Sequence, residues 1–181
     1  MYLPTCIRGH IWRVRYHNNR HSILCAARGQ MCGWVKFHPY ITAQKEGKME
    51  IKEYTEFKSN EILDLYTQVG WTAYTENMPA LEQGYKNSLL VLAAYENDEL
   101  LGIVRVVGDK FTIILVQDIL VYPKYQRQGI GTALLKAVLD RYSDVRQLQL
   151  VTDNTAKTIA FYKSLGFLNF SEIGCCGFMR A

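Results

Sequence analysis

Downstream of Met49 the apolar positions change period several times, and each change marks an element. Met49 to Thr55 alternates as a strand does. Ile62, Leu63, Tyr66 and Val69 then recur on one helical face, with Ser59 as the expected N-cap and Gly70 as the stop. Residues 71–88 are polar and aromatic and are broken by Pro79 and Gly84, which predicts one short helix within loops. The runs LLVLAAY (89–95), LLGIVRVVG (100–108) and FTIILVQDILV (111–121) read as three consecutive antiparallel strands, the first two joined by the turn-forming ENDE. From Gly129 the period lengthens again, and Ile130, Leu134, Leu135, Val138 and Leu139 form a helical stripe ending near Tyr142. VRQLQLV (145–151) alternates as a strand. Ile159, Phe161, Tyr162 and Leu165 predict a short helix capped by Gly166, and FLNF and GFMR predict two short closing strands. The expected order is β, α, α, β, β, β, α, β, α, β, β.

Residues 1–48 are a different kind of sequence. They carry eight Lys or Arg against Glu46 alone, whereas residues 49–181 carry thirteen against sixteen acids. No sustained apolar period is evident there, and AQKEGK reads as a polar linker before Met49. His17, His21 and Cys25 recur every fourth residue, but without any Cys-x-x-Cys pair they make a weak metal site. A mitochondrial presequence is opposed by the many Cys and His, and a nucleic-acid arm rests on charge alone. The expected division is therefore a basic, poorly ordered extension or misassigned start over 1–48, and one functional domain over 49–181.

Length and composition add exclusions. With 181 residues, 49% of them hydrophobic, the chain is long enough for one full core. No apolar run approaches the roughly 18 residues needed to span a bilayer, and no N-terminal apolar segment ends in a cleavage site, so a cytoplasmic protein without a membrane partner is expected. Five cysteines form an odd set without framework spacing, which points to free thiols.

The chemistry is concentrated in residues 118–135, DILVYPKYQRQGIGTALL. Gly129 and Gly131 stand at the mouth of a helix, where unpaired N–H groups and missing Cβ atoms suit an anion. A dinucleotide-binding turn fits poorly, since Leu134 stands where a third glycine belongs, and the phosphate-loop pattern ending in Gly-Lys-Ser/Thr is absent. Gln126-x-x-Gly129-x-Gly131, following Val121-Tyr122-Pro123 and opening a helix, resembles the acyl-CoA signature of the GNAT acyltransferases. Phe161-Tyr162-x-x-x-Gly166-Phe167 resembles their C-terminal helix–strand motif, about 30 residues further on.

The resemblance covers about residues 49–181 and implies a small single-domain α/β (α+β) fold, with a mostly antiparallel mixed sheet flanked by helices. It also implies an acetyl-CoA-dependent N-acetyltransferase acting on a small-molecule or peptide amine, with no metal. Nucleic acid is not an expected partner, and a homodimer is left open. A loop presenting the N–H groups of Arg127, Gln128, Gly129, Ile130, Gly131 and Thr132 can cradle the pyrophosphate of coenzyme A, with Lys124 and Arg127 as candidates to steer it inward. By resemblance, the strand before the loop is bulged and splayed. The backbone of Ile119, Leu120 and Val121 would hold the pantetheine, with an N–H near Leu120 or Val121 at the oxyanion. Tyr162 is the implied proton donor to the departing thiolate, and Asp118 the nearest candidate base. Many relatives carry Asn seven residues before the tyrosine; Thr155 stands there instead, beside Asn154, and is expected to cap the helix. Trp71, Tyr74 and Tyr85 are candidates to line the acceptor pocket. A second reading, a domain of the same fold that binds acyl-CoA without turnover, is opposed by the intact Tyr162 and glycine loop.

Overall fold

In the computed structural model, residues 48–180 are described in full; of those before them, the backbone of three strands is described. These are β1 (Ile11–His17), β2 (Arg20–Ala27) and β3 (Gln30–Val35). They form an antiparallel sheet in that order, with His17 opposite Arg20 and Ala27 opposite Gln30. No regular element was expected here. A period-2 signal is nevertheless present in β1, where Trp12, Val14 and Tyr16 alternate with Arg13, Arg15 and His17. Dense basic residues make such alternation read as a charge cluster. The side chains of the candidate metal ligands His17, His21 and Cys25 lie outside the described residues. Residues Met1–Glu46 and Gly47–Ala181 are separate compact units.

The second unit is built on a five-stranded sheet of order β4-β5-β6-β7-β8. Its strands are β4 (Glu50–Glu53), β5 (Leu90–Glu96), β6 (Glu99–Gly108), β7 (Ile113–Val121) and β8 (Gln147–Leu150). Only β7 and β8 pair in parallel. The β5–β6 hairpin turns on Asn97 and Asp98, both at positive φ, as the right-handed twist of a two-residue turn requires. Asp109 closes the next turn by accepting from the backbone N–H groups of Phe111, Thr112 and Ile113.

Both sheet faces are covered, which is why β5 and β6 read as continuous apolar runs rather than alternating ones. One face packs against α1 (Ser59–Gln68) and α3 (Met78–Lys86), with Ile62, Leu65, Tyr66, Leu81 and Tyr85 meeting Val91, Ala93, Ile103 and Leu120. The other packs against α4 (Ile130–Arg141) and α5 (Ala156–Lys163). There Ile130, Leu134, Val138 and Tyr162 meet Leu92, Val104, Val106, Ile114 and Val116. Truncating a side chain as buried as Leu134 costs about 2–5 kcal/mol.

Three expectations are corrected. Ser59 is the first helical residue and Lys58 the N-cap; no side chain caps the first turn, and the Lys58 backbone N–H donates to the Tyr54 hydroxyl. Residues 71–88 hold two helices, a single turn α2 (Thr72–Thr75) and α3, because the Asn77 side chain accepts from the Ala80 N–H and Pro79 sits in the first turn. The two closing strands do not form. Gly166 at φ +88° and a bond from Phe167 N–H to the Tyr162 carbonyl end α5 in a reversed turn. Asn169 and Glu172 then make a capping box for a 3-10 turn over Phe170–Ile173, a local alternative that outcompetes the strand. Phe178 in GFMR is left 95% exposed.

Because the buried clusters described for the second unit are drawn from Met49 onward, removing residues 1–48 is expected to leave a cooperatively unfolding protein. A thermal melt that shows no transition after truncation would contradict this.

Candidate active site

The site begins with one extra residue. In the β6–β7 ladder Arg105 faces Asp118 and Val106 faces Val116, so Gln117 has no partner and β7 is bulged there. The bulge exchanges the two faces of the strand: Ile114 and Val116 belong to the α4 side, whereas Leu120 and Tyr122 belong to the α1 side. It also exchanges the two edges. The Tyr122 N–H donates to the Leu101 carbonyl of β6, so by alternation Leu120 also faces β6, and the backbone groups of Ile119 and Val121 face the opposite edge. On that side β8 pairs only with Ile113 to Val116. Among the described residues, no strand pairs with that edge of β7 beyond Val116. The bulge expected from the resemblance is present, and the parallel pairing with β8 ends just before it.

The loop after β7 has unusual backbone. A 3-10 turn over Pro123–Tyr125 leads to Gln126, then Arg127 adopts φ +63° and Gly129 φ +85°. A non-glycine residue in the left-handed region costs about 1–3 kcal/mol and persists only where its surroundings impose it. Two left-handed residues flanking Gln128 curve the backbone into a concave nest at the start of α4. Among the described residues, the N–H groups of Arg127 to Thr132 have no bond to a backbone acceptor, and the first turn of α4 adds its dipole. Gln126 Nε2 donates to the Val121 carbonyl at 3.1 Å and ties the loop to the strand's open edge.

The two glycines act differently. A Cβ at Gly129 would meet nothing within 4 Å, and its positive φ is what requires glycine. At Gly131 a Cβ would lie 3.7 Å from Phe161, 3.8 Å from Val121 and 3.9 Å from Ile119, ordinary contact distances. Gly131 therefore brings the helix start close over the end of β7 and the α5 aromatics. Lys124 forms an ion pair with Glu99 at 2.6 Å and sits 4.6 Å above the Tyr125 ring, so its charge is already engaged. Arg127 has no ion-pair partner among the described residues.

Tyr162 is 8% exposed and packs edge-on to Phe161 and Phe167 in the same cluster that contacts Ile119, Val121 and Ile130. Burial raises its phenol pKa above the ordinary value, Asp153 adds to this, and the Thr152 side chain works in the opposite direction. Thr155 caps α5, its hydroxyl accepting from the Thr158 N–H at 3.1 Å.

Asp118 lies on the other face of the sheet and is 1% exposed. Its Oδ2 accepts from the Tyr66 hydroxyl at 2.7 Å and from Arg105 Nε, and its Oδ1 has no partner. Tyr85 donates to the Tyr66 hydroxyl at 3.2 Å and lays its ring 5.3 Å from the Arg105 guanidinium. Tyr85 thus belongs to this buried network, while Trp71 and Tyr74 stack on each other at 21° beside Tyr66. Arg105, Tyr66 and Gln117 were not singled out from sequence. The available signal was a lone arginine inside LLGIVRVVG, since a charge in a strand covered on both faces requires a buried counter-charge. A cavity of about 770 Å³ lies beside β8 and the C-terminal segment. Its lining includes Tyr162 but neither the glycine loop nor Ile119 to Val121.

A mixed sheet opened beside a bulged strand, with a nest of N–H groups leading into the next helix, is the GNAT acyltransferase fold. Residues 56–167 match the acetyltransferase (GNAT) family, and the chain belongs to it. A GNAT-family acetyltransferase of Streptococcus pneumoniae is 39% identical, with a TM-score of 0.68 over 74% of this chain and 98% of that one. An uncharacterized ycf52-like N-acetyltransferase of Prochlorococcus marinus is 27% identical over 67% of this chain and 68% of its own length. The aminoglycoside N-acetyltransferase AAC(6')-Iy, solved in complex with CoA, shares the fold with a TM-score of 0.59 at 15% identity, over 70% of this chain and 91% of that one.

Gly129→Val is expected to weaken acetyl-CoA binding on the order of tenfold, because a branched residue cannot hold the left-handed turn of the nest. Gly131→Ala, by contrast, is expected to fold normally. Calorimetric titration of both variants checks this, and unchanged affinity in folded Gly129→Val would remove the nest from the binding site.

Proposed function

We propose that the protein transfers an acetyl group from acetyl-CoA to a primary amine by direct attack in a ternary complex. The observation that carries this reading is the open edge of β7 beyond Val116, lying beside unbonded N–H groups at the start of α4. Coenzyme A has two parts that match these two features. Its pyrophosphate suits the nest formed by residues 126–132, and its pantetheine amides suit an unpaired strand edge.

In this reading the acceptor nitrogen attacks the thioester carbon, and the carbonyl oxygen becomes an oxyanion. Val121 or Ile119 supplies the N–H that receives it, since Leu120 spends its own on β6. The tetrahedral species collapses with cleavage of the carbon–sulfur bond, and the Tyr162 hydroxyl gives its proton to the departing thiolate. The amine's proton leaves to solvent. Asp118 is not used as the base, because one of its oxygens is committed to Arg105 and Tyr66 and the residue is sealed from water. The described cysteines, Cys175 and Cys176, are exposed on the C-terminal segment, so no thiol nucleophile is invoked.

Tyr162→Phe keeps the ring and removes the proton. Turnover is expected to fall roughly 10²-fold with little change in acetyl-CoA affinity or thermal stability. The raised phenol pKa adds a pH signature: the reactive form is protonated, so the wild-type rate should not decline through this group until above about pH 10, and the variant should lack that decline. Thiol release measured with acetyl-CoA and an amine panel tests both. Near-wild-type turnover in the variant would leave Tyr162 as packing alone.

A further inference from the structure

The buried pair of Arg105 and Asp118 poses a question that acetyl transfer leaves unanswered, since neither residue reaches the open edge of β7. Removing the bulge shows what the pair does. If the register of Val106 with Val116 continued unbroken, Arg105 would face Gln117 and Val104 would face Asp118. Asp118 would then share the face of Val104, which packs with Ile130, Leu134 and Leu135, an apolar cluster offering no counter-charge. With Gln117 set aside, Asp118 instead lands opposite Arg105. Arg105 is held in turn by Ser88 at 3.3 Å and the Gly84 carbonyl at 3.4 Å, and Tyr66 reaches down from α1 to the same carboxylate oxygen. A one-residue slip exchanges every face and edge of a strand. In the unbulged register the amides of Asp118 and Leu120, not those of Ile119 and Val121, would point into the gap.

From this we infer that Arg105 and Tyr66 are positioning residues: by holding Asp118 on the α1 face they fix the bulge at Gln117, and the bulge decides which amides β7 offers to the acyl group. Buried ionic groups are best attested as devices that set register, and this pair sits at the point where the register between β6 and β7 changes. The inference concerns the same site as the proposed acetyl transfer and rests on that reading for its functional consequence, though not for its structural one.

The two are separated by measuring amide hydrogen exchange and acetyl-CoA affinity together on the full chain. In the wild type, Asp118 and Leu120 should be protected while Ile119 and Val121 exchange quickly. Arg105→Met should erase or invert that alternation, raise the acetyl-CoA Kd about tenfold and lower kcat on the order of 10²-fold, as a misplaced binding group does. Tyr66→Phe deletes one hydroxyl and keeps the ring. It should shift both readouts in the same direction to a smaller extent, and it decides the matter if Arg105→Met does not fold. A folded variant that keeps the wild-type alternation overturns the inference whatever its affinity, and so does a changed alternation with unchanged Kd. Failure of the wild type to bind acetyl-CoA would instead sink the proposed function, while the amide pattern would still judge the lock.

Discussion

The second unit depends on one ion pair placed where two strands change step. Arg105 and Asp118 are cross-strand neighbours, both buried, and the cost of leaving either without the other is about 3–5 kcal/mol. That cost makes the register of β7 nearly all-or-none. On one side of the pair the strand runs alongside β8. On the other it turns its free amides outward, and the loop that follows opens into α4. The geometry that distinguishes this sheet from an ordinary five-stranded one follows from that step.

Around the pair, a ring of tyrosines shares the load. Tyr66 and Tyr85 pass a chain of hydroxyl donors toward the carboxylate, and burial raises the phenol pKa of both, with the nearby Asp118 charge adding to it. They therefore remain donors across the neutral range, as the network requires. Because the unfolded chain would release these protons near pH 10 and the folded one does not, this part of the fold loses stability as the solution becomes strongly alkaline. Asp118 Oδ1, buried and unbonded, is the one unsatisfied atom of the arrangement.

Much of this was legible in the sequence, and the parts that were not share a cause. Periodicity located β5 to β7, α4 and α5, since each repeats an apolar pattern over enough residues to be distinctive, and the two glycines marked the mouth of α4. The bulge was implied only by resemblance. Gln117 lies in a strand whose residues alternate in burial without a break, and because both faces are covered, a change of face leaves no trace in the pattern. Local chemistry defeated the sequence pattern at residues 167–173, where Asn169 and Glu172 favour a capped turn over the strand that FLNF suggests. Asp118 looked like a base because its place in the strand is near the chemistry. Its partners, Arg105 and Tyr66, are 13 and 52 residues away along the chain, and only three dimensions bring them together.

The bond from Gln126 to the Val121 carbonyl has a consequence for how a ligand arrives. The open edge of β7 is not bare: at its last residue a side-chain amide already occupies the acceptor that an incoming amide would seek. In the proposed complex, entry that displaces Gln126 would be an exchange of one amide for another, so hydrogen bonding there would contribute little net drive. The same displacement would free the residue that precedes Arg127. The curvature of the nest would then follow occupancy of the strand edge, and the two ends of an extended ligand would answer to each other.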